Sequence, residues 1–365
     1  MKNRKTLWMF LFIVMSGLAL FFFTRHDAFM YRQPVGRIET VTTTHREATI
    51  DSYHNHDEEI QQQVTLRIIN GRHRGDLVTI RHTYSQSGGL DQSLRPHQQV
   101  FLNVTYDGKR KVWQFDNLKR DTTLAMLFWT VIVLLIVTMH LQGLRALLSV
   151  ALNFALFLFF IQLDVQLNLN NFFWLFALSA FLFTLLSVLL VIGWNKQSLV
   201  VCTAIFLGVT IALALGYAIL QATGNRGIHY EALDFATQAP EQLFFAATVI
   251  GLLGAVMDAA TDIVATLFEL KRAEPKITKR QLFQSGQQVG KAIMGPLINV
   301  LLLIFFAGEI TMAVVYLRTD NSIAYTFEWT MALGLAQALI SAIGIVLVIP
   351  TASFLATLVL GREKA

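Results

Sequence analysis

The chain has 365 residues, of which 54% are hydrophobic and only 15% charged. Soluble domains carry about 25% charge, so a set of two or three aqueous domains is excluded in favour of a membrane protein. The net charge of +5 needs no nucleic acid, because basic residues collect at cytoplasmic helix ends and meet anionic lipid there. The single cysteine, Cys202, lies in an apolar run and rules out an intrachain disulfide.

A helix needs about 20 mainly apolar residues to cross a bilayer. Residues 1–6 read as a cytoplasmic N-terminus with Lys2, Arg4 and Lys5, and residues 7–23 as an uncleaved anchor helix. Residues 24–121 form a polar stretch read as a β-rich domain outside the cytoplasm. Alternation with period two appears in Val64 to Ile68, Leu77 to Ile80, Val100 to Val104 and Val112 to Phe115. Asn70-Gly71 and Asp107-Gly108 supply hairpin turn chemistry. About five short strands predict a small OB-like barrel. The loop His54-Asn55-His56-Asp57-Glu58-Glu59 offers metal-ligand residue types without a defined structural spacing, so it is read as a solvated loop and no metal is expected.

Residues 122–360 are expected to hold seven more spans: Thr122 to His140, Leu144 to Leu163, Phe172 to Trp194, Ser198 to Leu220, Leu243 to Val264, Ala292 to Tyr316 and Thr330 to Leu360. The last is long, and Pro350 is expected to kink or end it. Residues 361–365 read as a cytoplasmic tail. Basic residues set the orientation. With the N-terminus inside, Arg145, Lys196, Lys271, Arg272, Lys276, Lys279, Arg280, Lys291, Arg362 and Lys364 join the first three on the cytoplasmic side, whereas the short outer loops hold Arg226 and Arg318. Both termini are thus expected to be cytoplasmic. Thr278 to Gln281 is a capping-box pattern, followed by a basic amphipathic segment expected at the membrane surface.

Polar groups inside the apolar runs carry the functional signal. An acidic residue at a helix centre costs about 2.5–3.5 kcal/mol on insertion scales and needs a partner, a proton or water. Asp258 and Asp262 are four residues apart and share a helix face, with Gly251, Gly254 and Ala255 beside them. Asp258, the deeper of the two, is the expected ion or proton relay. Asn299 and Asn153 are expected at similar depth. Gly295-Pro296 is expected to break its helix locally and free backbone carbonyls. Glu309 and Gln337 form a second polar layer nearer the outside, beside the small-residue face Gly334, Ala338, Ser341 and Ala342.

No phosphate loop, His-Glu-x-x-His or Gly-x-Ser-x-Gly is present, and no cofactor is expected. Three segments, Gly251-Leu-Leu-Gly254-Ala-Val-Met-Asp258, Gly286-Gln-Gln-Val-Gly290-Lys-Ala-Ile-Met-Gly295 and Ser341-Ala-Ile-Gly344-Ile-Val-Leu-Val-Ile-Pro350, resemble the YibE/F family of bacterial multi-pass membrane proteins. The resemblance implies a plasma-membrane location and a related membrane-protein partner, and it implies no established reaction. The expected fold is therefore an α-helical polytopic membrane protein with about eight transmembrane helices and a small extracytoplasmic all-β domain. The expected function is that of a secondary transporter or permease-like protein for an unknown small solute or ion. The alternative is a non-catalytic scaffold or sensor whose outer domain binds an envelope component. The expected partners are the lipid bilayer and either a related membrane protein or a second copy of the chain in a homo-oligomer.

Overall fold

A computed structural model describes residues 2–88, 91–107, 110–167, 173–232 and 239–361. The chain divides into two compact units, residues 1–140 and 141–365.

The first unit opens with α1 (Lys2–His26), a 25-residue apolar helix. A short 3-10 turn, Asp27–Met30, leads into five antiparallel strands: β1 (Val35–Ile50), β2 (His56–Ile68), β3 (Leu77–Ser85), β4 (Gln99–Asp107) and β5 (Arg110–Leu118). Their order is β3-β2-β1-β4-β5. β2 alternates strictly, burying Ile60, Gln62, Val64, Leu66 and Ile68, as period-two side chains on one sheet face must. Val64, Leu66 and Ile68 join Ile38, Ile80, Leu94, Val100 and Leu102 in the core. Buried Gln62 is satisfied by the backbone of Leu94: Leu94 N donates to Oε1 at 3.1 Å, and Nε2 donates to Leu94 O at 3.4 Å.

The five strands form one antiparallel sheet that is not closed: among the described residues no ladder joins β3 to β5. β1 contributes the central strand that alternation did not reveal. It carries two register shifts, between Ile38 and Thr40 and between Thr43 and His45. Each inserts a residue and flips the pattern of facing side chains. β4 accompanies β1 only over Val35 to Arg37, while β2 follows it to Ile50. Asn70-Gly71 does not make a tight two-residue turn, because the connection runs from Ile69 to Asp76. Asn70 is instead a buried knot. Its Oδ1 accepts from Val35 N at 2.7 Å, and its Nδ2 donates to the carbonyls of Ala28, Tyr31 and Gln33 at 2.9–3.1 Å. Asp107 and Arg110 pair across the β4–β5 turn, while Gly108 lies outside the described residues.

A second knot ties α1 and the end of β5 to the helix that starts at Asp121. Lys119, 1% exposed, places Nζ 2.6 Å from Asp121 Oδ2 and 2.7 Å from Asp27 Oδ1, and donates to Thr24 O at 2.5 Å. The Tyr31 hydroxyl donates to Asp121 at 3.2 Å. Burial, with help from the two carboxylates, pushes the Tyr31 phenol up to about 12.

Seven helices among the described residues are long and apolar enough to cross a membrane. The count differs from eight because α2 (Asp121–Leu167) takes in two of the expected spans. His140 interrupts it with φ 52° and ψ −126°, a left-handed backbone that cannot continue a right-handed helix. The second unit adds α3 (Phe173–Val191), α4 (Lys196–Ala222), α5 (Pro240–Ala273), α6 (Lys279–Arg318), the single turn α7 (Ile323–Thr326) and α8 (Ala332–Leu360). A π-helical turn, Phe327–Met331, joins the last two.

The core lies where α4, α5 and α8 meet, around Ile205, Leu252, Val256, Ile263, Ile345 and Val348. Missing side chains let these helices close. A Cβ on Gly344 would lie only 2.3 Å from Leu252 Cδ1, and one on Gly290 only 2.3 Å from Ile349 Cγ2. The capping box forms at Thr278: Gln281 N donates to its Oγ1 at 3.3 Å, and Thr278 N donates to Gln281 Oε1 at 3.1 Å. The segment that follows is the first part of α6 rather than a separate surface helix. Leu282, Gly286 and Gly290, at four-residue steps, are buried. Pro296 does not break α6, and Pro350 does not end α8. A helical proline withdraws one donor, so the carbonyls of Ala292 and Val346, four residues back, lose their usual intrahelical donor.

Candidate functional site

A groove of about 450 Å³ opens between α5, α6 and α8. α5 contributes Gly251, Ala255 and Asp258, α8 contributes Gly334, Gln337, Ala338 and Ser341, and α6 contributes Glu309 above an apolar wall. Two carboxyl groups and a carboxamide predicted from separate helices thus share one lining. Leu297, Val300, Leu301, Ile304, Phe305 and Gly308 recur at three- and four-residue steps to make the α6 wall.

Small residues shape this space. Gln337 Nε2 donates to Ala247 O on α5 at 3.3 Å, and lies 3.0 Å from where a Gly251 Cβ would sit. Seven residues separate Gly251 from Asp258, so the Gln337 amide stands about 10 Å along the helix from the Asp258 level. A Cβ on Gly334 would meet the Phe305 ring at 2.6 Å and Glu309 Oε1 at 3.1 Å. Gly334 therefore permits Glu309 and Phe305 to occupy the groove together. The polar groups are graded along it: Glu309 beside Gly334, then Gln337 beside Gly251, then Asp258.

The other expected members lie elsewhere. Asp258 and Asp262 are both exposed, one turn apart, and Asp262 does not line the groove. Asn299 is exposed, on the side of α6 opposite its groove wall, so it does not face Asp258. Asn153 binds α3 instead: its Nδ2 donates to Ser187 Oγ at 2.6 Å, and Ser149 Oγ donates to the same oxygen at 3.1 Å. This makes Asn153 part of a packing contact. Gly295 and Pro296 do not line the groove, and neither does Pro350.

The chemistry available in the groove is that of oxygen donors. A carboxyl group among apolar helices demands a proton, a cation or water. No histidine or cysteine lines the groove, so the donor set suits hard cations or protons better than soft metals. Among the described residues no group of three or more His, Cys, Asp or Glu side chains is gathered to hold a metal ion. The His54 loop is organised by Asp51, whose Oδ1 accepts from Tyr53 N and Asn55 N at 2.9 Å.

Residues 127–362 match the YibE/F-like protein family, and residues 29–116 match the YibE/F family N-terminal domain. The chain belongs to the YibE/F-like family. All the groove residues fall inside the first match, and the sheet core falls inside the second. Neither the curated proteins nor the solved structures give a match.

This YibE/F-like chain also holds a polar cluster that sequence reasoning missed. His229 places Nδ1 3.1 Å from Glu231 and Nε2 3.0 Å from Glu328, and its ring stacks on Trp329 at 4.2 Å. The hydrogen bond to Glu328, followed by that to Glu231, raises the His229 pKa. Glu328 and Trp329 lie in the π-helical turn, a feature common at functional sites.

Proposed function

We propose that this YibE/F-like protein is a plasma-membrane secondary transporter or permease-like protein. A proton or small cation passes along the α5–α6–α8 groove, and Asp258 is the group that exchanges it. The observation carrying this reading is the shared lining: Asp258, Glu309 and Gln337 stand on one groove among apolar helices. Isolated acids on such helices are costly, whereas a graded series offers successive resting places. Helix length and the basic-residue asymmetry support a multi-pass topology with both termini cytoplasmic and the sheet domain outside. The strand order supports an OB-like, partly open barrel as the outer domain.

The test is proton movement in liposomes carrying the full-length protein and an entrapped pH-sensitive dye. An imposed potassium gradient, and then an imposed sodium gradient, should drive a dye response in the wild type. Asp258→Asn should abolish it with helical content unchanged by circular dichroism. An equal response from Asp258→Asn, or none from the wild type under either gradient, refutes the assignment.

A further inference from the structure

A second cavity, of about 510 Å³, lies between α3, α4 and α5. It is built differently from the groove. Four aromatic rings line it: Phe173 and Trp174 from the start of α3, Tyr217 from α4, and Phe245 from α5. Glu241 and Gln242, from the first turn of α5, stand among them. Glu241 is the one charged side chain in the lining. Gln221 Nε2 donates to Glu241 Oε1 at 3.3 Å, a contact with a neutral amide rather than with a cation. Gln242 Oε1 is buried with no hydrogen-bond partner among the described residues.

The walls decide which cation fits. A hydrated metal ion gives up its water only to several oxygen donors, and this lining offers mostly rings and aliphatic carbon. Aromatic faces attract a weakly hydrated ammonium through their quadrupoles, and rings around an alkylammonium are the recognised form of such a site. A cavity of this size exceeds the needs of a bare ion and matches small-molecule pockets. Trp174 is 69% exposed and Tyr217 50% exposed, so the cavity opens at the side of the bundle.

We propose that this cavity binds an alkylammonium group, with Glu241 as its counter-ion and Trp174 and Tyr217 as its aromatic walls. The ammonium belongs either to a soluble amine or to the headgroup of a membrane lipid, and both present the same chemistry. The site is separate from the Asp258 groove and does not depend on the transport reading.

The test uses the full chain in nanodiscs of phosphatidylglycerol, which carries no ammonium. Tetramethylammonium chloride is titrated against the protein and binding is read by saturation-transfer NMR on its methyl signal, at constant ionic strength set with sodium chloride. Saturable transfer is expected, with Kd raised about tenfold or more by Glu241→Gln and by Trp174→Leu. A second arm uses nanodiscs of phosphatidylcholine and native mass spectrometry. Retention of that lipid by the wild type, and its loss from Glu241→Gln, assigns the site to a lipid headgroup, whereas the first arm alone assigns it to a soluble amine. The proposal is overturned by absence of transfer and retention in both arms. It is equally overturned by binding that both substitutions leave unchanged, or by full competition from sodium. Should Glu241→Gln lose its helical content, Trp174→Leu, altered at a mostly exposed position, decides alone.

Discussion

Replacing Lys119 by methionine removes the cation at the centre of the knot joining α1, β5 and α2. Lys119 is 1% exposed and Asp27 7% exposed at their side chains, so water cannot take over the role of Nζ. Asp27 and Asp121 would be left facing each other without the cation between them. Breaking a buried ion pair by deleting one partner costs about 3–5 kcal/mol, chiefly because a charge is stranded. At 1.4 kcal/mol per decade, that is a fall of about two to three and a half orders of magnitude in the protection of core amides. Amide hydrogen exchange of β4 and β5 peptides, read by mass spectrometry, measures it directly. Stranded carboxylates are driven to bind protons in the folded state. The variant therefore binds more protons folded than unfolded, its stability falls as pH rises, and the deficit should be smaller at pH 4 than at pH 7. The combined variant Lys119→Met, Asp27→Asn, Asp121→Asn should recover most of the loss, since it strands no charge. The reasoning is refuted if Lys119→Met lowers protection less than fivefold, or if the triple variant is no better than the single one.

Two further outcomes follow from the helical unit. Gly344→Ala would force a Cβ to 2.3 Å from Leu252 Cδ1 in a fully buried contact and should cost about 1–3 kcal/mol. Gly254→Ala meets nothing within 4 Å and should be neutral or stabilising by up to about 1 kcal/mol; thermal unfolding in detergent compares the pair. For His229, the raised pKa means its contribution is fully present below the unfolded value of about 6.5 and is lost as pH rises through the higher folded value. Trp329 emission, quenched by the stacked imidazolium, should rise with a midpoint above 6.5, and Glu328→Gln should lower that midpoint. An unshifted midpoint in the wild type would contradict the two-carboxylate geometry.

The elements most legible in the sequence are those whose signals are local. The second half of β2 is found because Val64, Leu66 and Ile68 alternate with Thr65 and Arg67, and the buried face continues back through Gln62 to Ile60. The start of α6 is found because its cap needs only Thr278 and Gln281. β1 escapes because extra residues between Ile38 and Thr40, and between Thr43 and His45, shift its faces twice. α6 and α8 run on through Pro296 and Pro350, since a helix held by its neighbours accommodates one missing donor.

The groove is half legible for a related reason. Depth along a helix can be counted, which marks Asp258, Glu309 and Gln337. Which way a side chain points depends on neighbours, which is why Asn299 falls on the wrong side and Asn153 pairs with Ser187. The His229 cluster gives no local signal, since Glu328 lies 99 residues away.

The long excursion of β1 and β2 beyond the rest of the sheet has its own consequence. From Thr40 to Ile50, no strand among the described residues accompanies β1 on the side away from β2. That margin is a row of backbone donors and acceptors able to recruit a foreign strand. The bulges distort the row, and His45, Arg46 and Glu47 decorate it with polar and charged groups, the devices by which soluble sheets avoid polymerising. Substituting apolar β-branched residues at 45–47 would strip that protection and turn the arm into a self-assembly handle.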